Sequence, residues 1–255
     1  RDVLGSRGLG DVYKRQGIGL AKCALPRSIY PIVAQTILES VYYPLSENAD
    51  GRISKVNVTF LVSESCKSSA TLVGCGLGVC DDTLKTVFSL IENSTTPLVL
   101  DADALNCVAK QPEILLRKKA PIIITPHPGE MSRLTGLATP LVNAERERVA
   151  LDFAQKYGVV TVLKGAGTVI ASPNGKVLVN PTGNSGMATG GSGDVLTGII
   201  AGLAAQGISV QEAALAGVYM HGLAGDLASK GIIGMAAGEI SQYLPQARRI
   251  IEQGE

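Results

Sequence analysis

NPTGNSGMATGGSGDVLTGIIAGLAAQG, residues 180–207, opens polar and glycine-rich, then passes without a break into a helical apolar pattern of Val195, Leu196, Ile199, Ile200 and Leu203. Six glycines between Gly183 and Gly198 allow positive φ and a close approach of backbone to ligand. Gly191, Ser192 and Gly193 fall where the first amides of a helix lack internal partners. Unpaired N–H groups and the positive end of the helix dipole favour an anion there, so residues 190–194 read as a phosphate cradle feeding a helix. Asp194 interrupts the cradle with a negative charge. A carboxylate beside bound phosphate is repelled unless it has a task, and accepting the proton of a hydroxyl that attacks phosphorus is such a task. The competing role is a first-turn helix residue, worth roughly 0.3–1 kcal/mol. The stretch is neither a Walker pattern nor a dinucleotide fingerprint: no Gly-Lys-Ser/Thr follows, and no acidic residue closes a first βαβ unit.

Outward from this stretch, apolar runs alternate with helical patterns. Residues 70–78 (ATLVGCGLG) read as a strand entering a glycine turn, followed by a helix over 81–92. Strands are expected at 97–103 (PLVLDAD), at 120–125 (APIIIT, running into PHPGE at 126–130) and at 159–163 (VVTVL, running into KGAGT at 164–168). An amphipathic helix is expected over 143–157, and a hairpin joins 168–172 to 176–180 around Pro173-Asn174-Gly175. Helices follow at 194–205, 210–228 and about 236–252. Upstream, 17–26 and 41–43 read as strands and 31–40 as a short helix, while 51–69 has no decided pattern. The alternation predicts an α/β fold with a central, mostly parallel sheet covered by helices on both faces. With no repeat, low-complexity tract or linker, a single domain is the simplest account. Ligands of such sheets collect beyond the carboxyl ends of the strands, so Gly76, Gly78, Asp101, Asp103, His127 and Glu130 are expected on one rim.

Composition bounds the function. The 255 residues are 45% hydrophobic, enough for one large core, and a net charge of +1 with no basic run argues against nucleic-acid and membrane-surface partners. Five cysteines without a CxxC pair, beside two histidines, argue against structural zinc and a disulfide framework and fit a reducing, cytoplasmic setting. No apolar run reaches the roughly 18–20 residues of a membrane span. Residues 1–16 (RDVLGSRGLGDVYKRQ) have no periodicity and read as a non-native or poorly packed leader.

His127-x-x-Glu130 lacks the third strong ligand that zinc requires, His221 being the other histidine. A carboxylate near phosphates more often holds Mg²⁺ through water, which suits Glu130. His127 stands between two prolines, with a substrate hydroxyl or amide and solvent as equally weighted partners. Lys164, after a strand and before Gly165-Ala166-Gly167-Thr168, is either a nucleotide-phosphate contact, with Thr168 as hydroxyl donor, or a solvated turn lysine. At least one of Asp101 and Asp103 should point into the rim, the other capping the next helix.

Together GCGLG at 74–78, VLDADALN at 99–106, TPHPGEMSRL at 125–134, VLKGAGTVIA at 162–171, the glycine-rich stretch and GVYMHGLAGDLAS at 217–229 resemble the NAD(P)H-hydrate dehydratase family, from about Gly17 to the C-terminus. The resemblance implies a single ribokinase-like domain that repairs the hydrates NADHX and NADPHX. ADP, or ATP, would phosphorylate the ring hydroxyl, and loss of phosphate would restore NADH or NADPH, leaving AMP or ADP. It implies that Asp194 is the base, that amides around Gly191, Ser192 and Gly193 stabilise the transferring charge, and that Lys164 to Thr168 with Gly193 contact the nucleotide. Gly78, His127 and Asp194 would contact the hydrate, with Gly76 and Asn106 on the substrate side. Glu130 stands where related kinases carry an Asn-x-x-Glu motif that organises Mg²⁺, His127 taking the Asn position. A homotetramer and a fused epimerase domain in the parent gene are further associations of the family.

The chain departs from the pattern at Cys75, where the family has proline, and at its start. Members begin with a strand and a glycine-rich turn that touches the substrate, and nothing in residues 1–16 matches, so the chain as given is expected to be weakly active or inactive beside a full-length version. The rival readings are a thiazole or pyrimidine vitamin-precursor kinase of the same superfamily, and a non-catalytic nucleotide-binding module. A kinase would leave a stable phosphorylated product; a binding module would hold ADP without turnover.

Overall fold

The computed structural model describes residues 18–229 and 234–254, so the leader expected over 1–16 lies outside the described residues. Four parallel strands form the part of the sheet that carries the rim: β3 (Thr71–Val73), β4 (Leu98–Leu100), β5 (Ile122–Ile124) and β6 (Val160–Leu163), ordered β3-β4-β5-β6. The register pairs Val73 with Leu100 and Leu100 with Ile124. The Pro173-Asn174-Gly175 turn then does what its composition dictates, reversing the chain so that β7 (Val169–Ala171) and β8 (Val177–Val179) extend the sheet antiparallel. The sheet is therefore mixed.

Strand residues alternate between two cores, as a period of two requires. Leu98, Leu100, Ile122 and Ile124 face α3 (Asp81–Asn93), α4 (Ala102–Val108) and the helix ending at Tyr157. Val99, Ile123, Val162 and Ile170 face α8 (Ser192–Ala205) and α9 (Val210–Ala228). Val99 and Ile123 are fully buried, each contributing about 1.5–3 kcal/mol. The apolar character of α8 around its whole circumference has the same origin: one side meets the sheet, and the other meets α9 and α10 (Ala237–Gln253). Small residues bring α8 and α9 close, since a Cβ at Gly217 would press on Ile200.

Three details differ from the sequence expectation. The helix expected over 143–157 is broken at Glu145 (φ −128°, ψ 42°) into α6 (Thr139–Ala144) and α7 (Arg146–Tyr157). The strand expected over 97–103 ends at Leu100, because Ala102 already begins α4. The upstream segments form a separate parallel pair, β1 (Lys22–Pro26) and β2 (Val41–Leu45), joined through the short α1 (Tyr30–Ala34), so the strand expected over 17–26 starts only at Lys22 and the helix expected over 31–40 stops at Ala34. The undecided 51–69 region contains α2 (Val58–Cys66), whose Glu64 takes Lys22 and Tyr43, each at 3.0 Å, tying the pair to the rest. Among the described residues, no helix is long and apolar enough to cross a membrane.

Candidate active site

The carboxyl ends of β3 to β6 form one rim, stitched by backbone bonds just past the strands: Asp101 N to Val73 O (3.1 Å), Thr125 N to Leu100 O (3.1 Å) and Lys164 N to Pro126 O (2.8 Å). Gly74 (φ +133°) lets the loop after β3 lie directly on the next one, for a Cβ there would overlap the carbonyl of Asp101. The N-terminus of α8 faces the same rim. Gly191 (φ +90°) enters the helix left-handed with no side-chain cap, and the amides of Gly193 and Asp194 have no hydrogen-bond acceptor among the described residues. Those amides and the dipole behind them are the arrangement that favours an anion.

Asp194 is half-buried at that helix start, and Asp101 is 1% exposed. Cys75 Sγ and oxygens of Asp101 and Asp194 all lie within 4.8 Å of one another. Burial holds the Asp194 carboxyl above the ordinary carboxylate range and Asp101 adds to the effect, against opposing contributions from Cys75 and Lys164. Burial, with the charges of Asp194 and Asp101, pushes the Cys75 thiol far up, so it stays protonated. Lys164 is not a solvated turn lysine: its Nζ lies 2.6 Å from Asp101 Oδ1 and 3.9 Å from Glu130 Oε2. It also stands at the cradle, where a Cβ on Gly193 would be 3.3 Å from Nζ.

His127 has a role the sequence left open. It caps α5 (Pro128–Thr135), with Nδ1 accepting from Gly129 N (3.0 Å) and Glu130 N (3.4 Å), while Glu130 Oε2 accepts from His127 N (2.8 Å). This reciprocal capping box uses Nδ1 as acceptor, so the neutral ring carries its proton on Nε2, on a side chain 51% exposed. Among the described residues Glu130 Oε1 has no backbone donor, and His127 Nε2 lies 3.6 Å from it.

Beside this group, Asp103 Oδ2 accepts from Gly78 N (2.7 Å), its Oδ1 meets Asn106 Nδ2 (3.3 Å), and Asn106 Oδ1 accepts from Arg133 Nε (2.8 Å). Both Asp101 and Asp103 thus serve the rim, and Asp101 does not cap α4 through its side chain. Gly76 (φ +67°) lies on the same loop as Gly78, in open space. In the 164–168 loop Thr168 Oγ1 bonds Gly165 O (3.1 Å), and a cavity of about 670 Å³ lined by Arg146, Ala166, Gly167, Val169 and Val179 opens alongside. Sequence reasoning missed two residues that organise the site. Arg146, the first residue of α7, reaches the carbonyls of Leu163 (2.9 Å), Gly167 (3.3 Å) and Lys164 (3.4 Å). Thr197, a polar side chain in the apolar run of α8, meets Asp101 Oδ2 at 2.8 Å.

The sequence profile of the NAD(P)H-hydrate dehydratase family matches residues 15–246. The chain is 41% identical over 243 residues to the bifunctional NAD(P)H-hydrate repair enzyme Nnr of Thermofilum pendens, covering 94% of this chain and 46% of that protein. It is 45% identical over 186 residues to the ADP-dependent (S)-NAD(P)H-hydrate dehydratase of Neisseria meningitidis, covering 71% and 62%. The chain thus spans about half the length of the curated relative from T. pendens. A crystal structure of the ADP/ATP-dependent NAD(P)H-hydrate dehydratase of Bacillus subtilis, co-crystallised with ATP/Mg²⁺, superposes with a TM-score of 0.80 at 29% identity, covering 96% of this chain and 84% of that one.

Proposed function

Since the chain belongs to the NAD(P)H-hydrate dehydratase family, we propose that the protein carrying it restores NADH and NADPH from their hydrates, with ADP or ATP as phosphoryl donor. The observation that carries this reading is a carboxylate, Asp194, held above its ordinary range among unpaired helix amides. Asp194 takes the proton of the ring hydroxyl as its oxygen attacks the terminal phosphorus, and the bond from that phosphorus to the bridging oxygen of the nucleotide breaks. The amides of Gly193 and Asp194 meet the charge that develops on the transferring group. The phosphorylated carbon–oxygen bond then breaks, phosphate leaving with its electron pair, and the adjacent ring carbon gives up a proton to solvent so that its C–H electron pair becomes the restored double bond. AMP is left when ADP is the donor.

Lys164, Gly165, Ala166, Gly167 and Thr168 receive the nucleotide, and the neighbouring 670 Å³ cavity accepts its nucleoside part. His127 offers Nε2–H, and the 76–78 loop offers backbone, to the hydrate. The donor chemistry also fits Mg²⁺. Glu130 retains Oε1 for a metal-bound water, whereas each oxygen of Asp101 already holds a donor, Lys164 on one and Thr197 on the other, and Cys75 is a soft ligand that Mg²⁺ avoids. When bound, Mg²⁺ neutralises polyphosphate charge.

The test is a product balance on the full-length protein incubated with hydrated NADH, Mg²⁺ and ADP or ATP. Stoichiometric NADH and free phosphate support the reading. A stable phosphorylated product would make the chain a kinase, and nucleotide binding without turnover would make it a binding module.

A further inference from the structure

Asp101 occupies the N-cap position of α4, where an aspartate ordinarily bonds the first-turn amides, yet its side chain makes no such bond. Its carboxylate reaches instead to partners 63 and 96 residues away, taking Lys164 Nζ on Oδ1 at 2.6 Å and Thr197 Oγ1 on Oδ2 at 2.8 Å. The next residue, Ala102, has φ +48°, a left-handed conformation costly for alanine and imposed by its surroundings. Thr197 stands one turn beyond Gly193 and shares its hydroxyl with Gly193 O (2.8 Å), so Asp101 is tied both to the lysine and to the first turn of the cradle helix.

Lys164 has competing anions. Glu130 lies 3.9 Å away, and Asp194 lies close enough to feel the ammonium charge. Among the described residues three titratable groups bear on the Asp194 carboxyl: Cys75 from the loop after β3, Asp101 from the end of β4 and Lys164 from the end of β6. The thiol is protonated, so the choice of partner for the single ammonium decides whether Asp194 is paired. We infer that Asp101 is a positioning residue that captures Lys164, leaving Asp194 without a cation partner and the ammonium beside Gly193. This deepens the dehydratase reading and rests on it. A base paired directly with lysine would bind its proton weakly, whereas one whose neighbour holds the lysine keeps proton affinity and leaves the positive charge directed at phosphate.

The experiment compares the pH profile of kcat/KM for hydrate repair in the full-length wild type, Asp101→Asn, and the double variant Asp101→Asn with Lys164→Met. Asp101→Asn removes the charge that raises Asp194 and frees Lys164 to turn toward it, so the acid limb moves to lower pH by about 1–3 units, the effect of an opposite charge within ~4–6 Å, whereas capture of the freed lysine by Glu130 would leave the smaller part of that shift. Removing the lysine as well returns the limb toward the wild-type position, a reversal that loss of a purely structural bond would not produce. The carboxyl carbon resonance of Asp194, titrated in the ligand-free proteins, follows the same order without turnover. A limb that stays or rises in Asp101→Asn, or that fails to return in the double variant, overturns the inference. If Asp101→Asn does not fold, the through-hydrogen-bond coupling of Lys164 Nζ in the wild type decides: coupling to the Asp101 carboxyl carbon supports the inference, and coupling to that of Asp194 overturns it. Failure of the dehydratase reading is separate, seen as no coenzyme from wild type, and leaves the resonance titration to judge Asp101.

Discussion

Replacing Asp194 by asparagine should separate catalysis from stability and binding. The amide is nearly the same size, so α8 and the cradle keep their shape, but the proton acceptor is gone. General-base catalysis contributes about 10²–10⁴-fold, so hydrate repair should fall by that factor, roughly 3–5 kcal/mol of barrier at 1.36 kcal/mol per decade. Stability should move the other way. Burial raises the folded-state pKa of Asp194, so its stability contribution is full below the unfolded carboxylate value and is lost as pH rises through the raised folded value. Above that raised value the buried carboxylate is a net cost, and asparagine relieves it. The charge–dipole attraction at the helix start, roughly 0.3–1 kcal/mol, is forfeited, so the melting temperature should be equal or slightly higher. ADP should bind as well or better: a like charge about 4 Å away costs on the order of 1 kcal/mol in a wet site, so tightening of up to about fivefold is expected. Single-turnover repair, calorimetric binding of ADP and thermal denaturation on the full-length protein read all three quantities. A variant keeping more than about a tenth of the wild-type rate would refute the assignment of the base; one that melts lower and loses ADP would refute the claim that the carboxylate is held against its own stability.

Three further outcomes follow from single residues. Arg146→Met removes a guanidinium bonded to the carbonyls of Leu163, Lys164 and Gly167, so KM for the nucleotide should rise about tenfold or more with a smaller change in kcat; Arg146→Lys should not rescue it, because one ammonium cannot span that fork. Burial lowers His221 from 6.5 to about 4, so its contribution to stability is present above about 6.5 and lost as pH falls toward about 4, a loss of up to roughly 3 kcal/mol that denaturation of His221→Gln should not show. Thr161 Oγ1 is a buried hydroxyl on β6 with no partner among the described residues, and Thr161→Val should raise stability by about 1 kcal/mol with an unchanged denaturant slope.

What the sequence made legible was local. The turn at 173–175, the apolar strands and the glycine-rich entry into α8 are each specified by neighbours a few residues apart; the turn and the entry stand where their patterns put them, and strands such as those at 98–100 and 22–26 form within the expected runs but shorter. The rim followed, because parallel strands deliver their carboxyl ends to one edge. The capping role of His127 was also within reach, since an acceptor followed three residues later by Glu130 is a capping-box spacing. The Asp101–Lys164–Thr197 tie was not legible, because nothing local marks partners so far apart in the chain. The break at Glu145 was hidden by an amphipathic pattern that ran through it, and Arg146 with it. The separate pairing of β1 with β2 was equally invisible, since a short apolar strand does not announce its neighbour.

The central claim is that a carboxylate in a pocket of helix amides drives phosphoryl transfer to the hydroxyl of a hydrated nicotinamide ring. Its most direct test is the recovery of reduced-coenzyme absorbance when hydrated NADH, Mg²⁺ and either ADP or ATP are mixed with the full-length protein and, in parallel, with its Asp194→Asn variant. Recovery matched mole for mole by phosphate in the first, and slowed by at least about a hundredfold in the second, is the predicted result. No recovery with either nucleotide, or equal recovery from both proteins, would contradict the account.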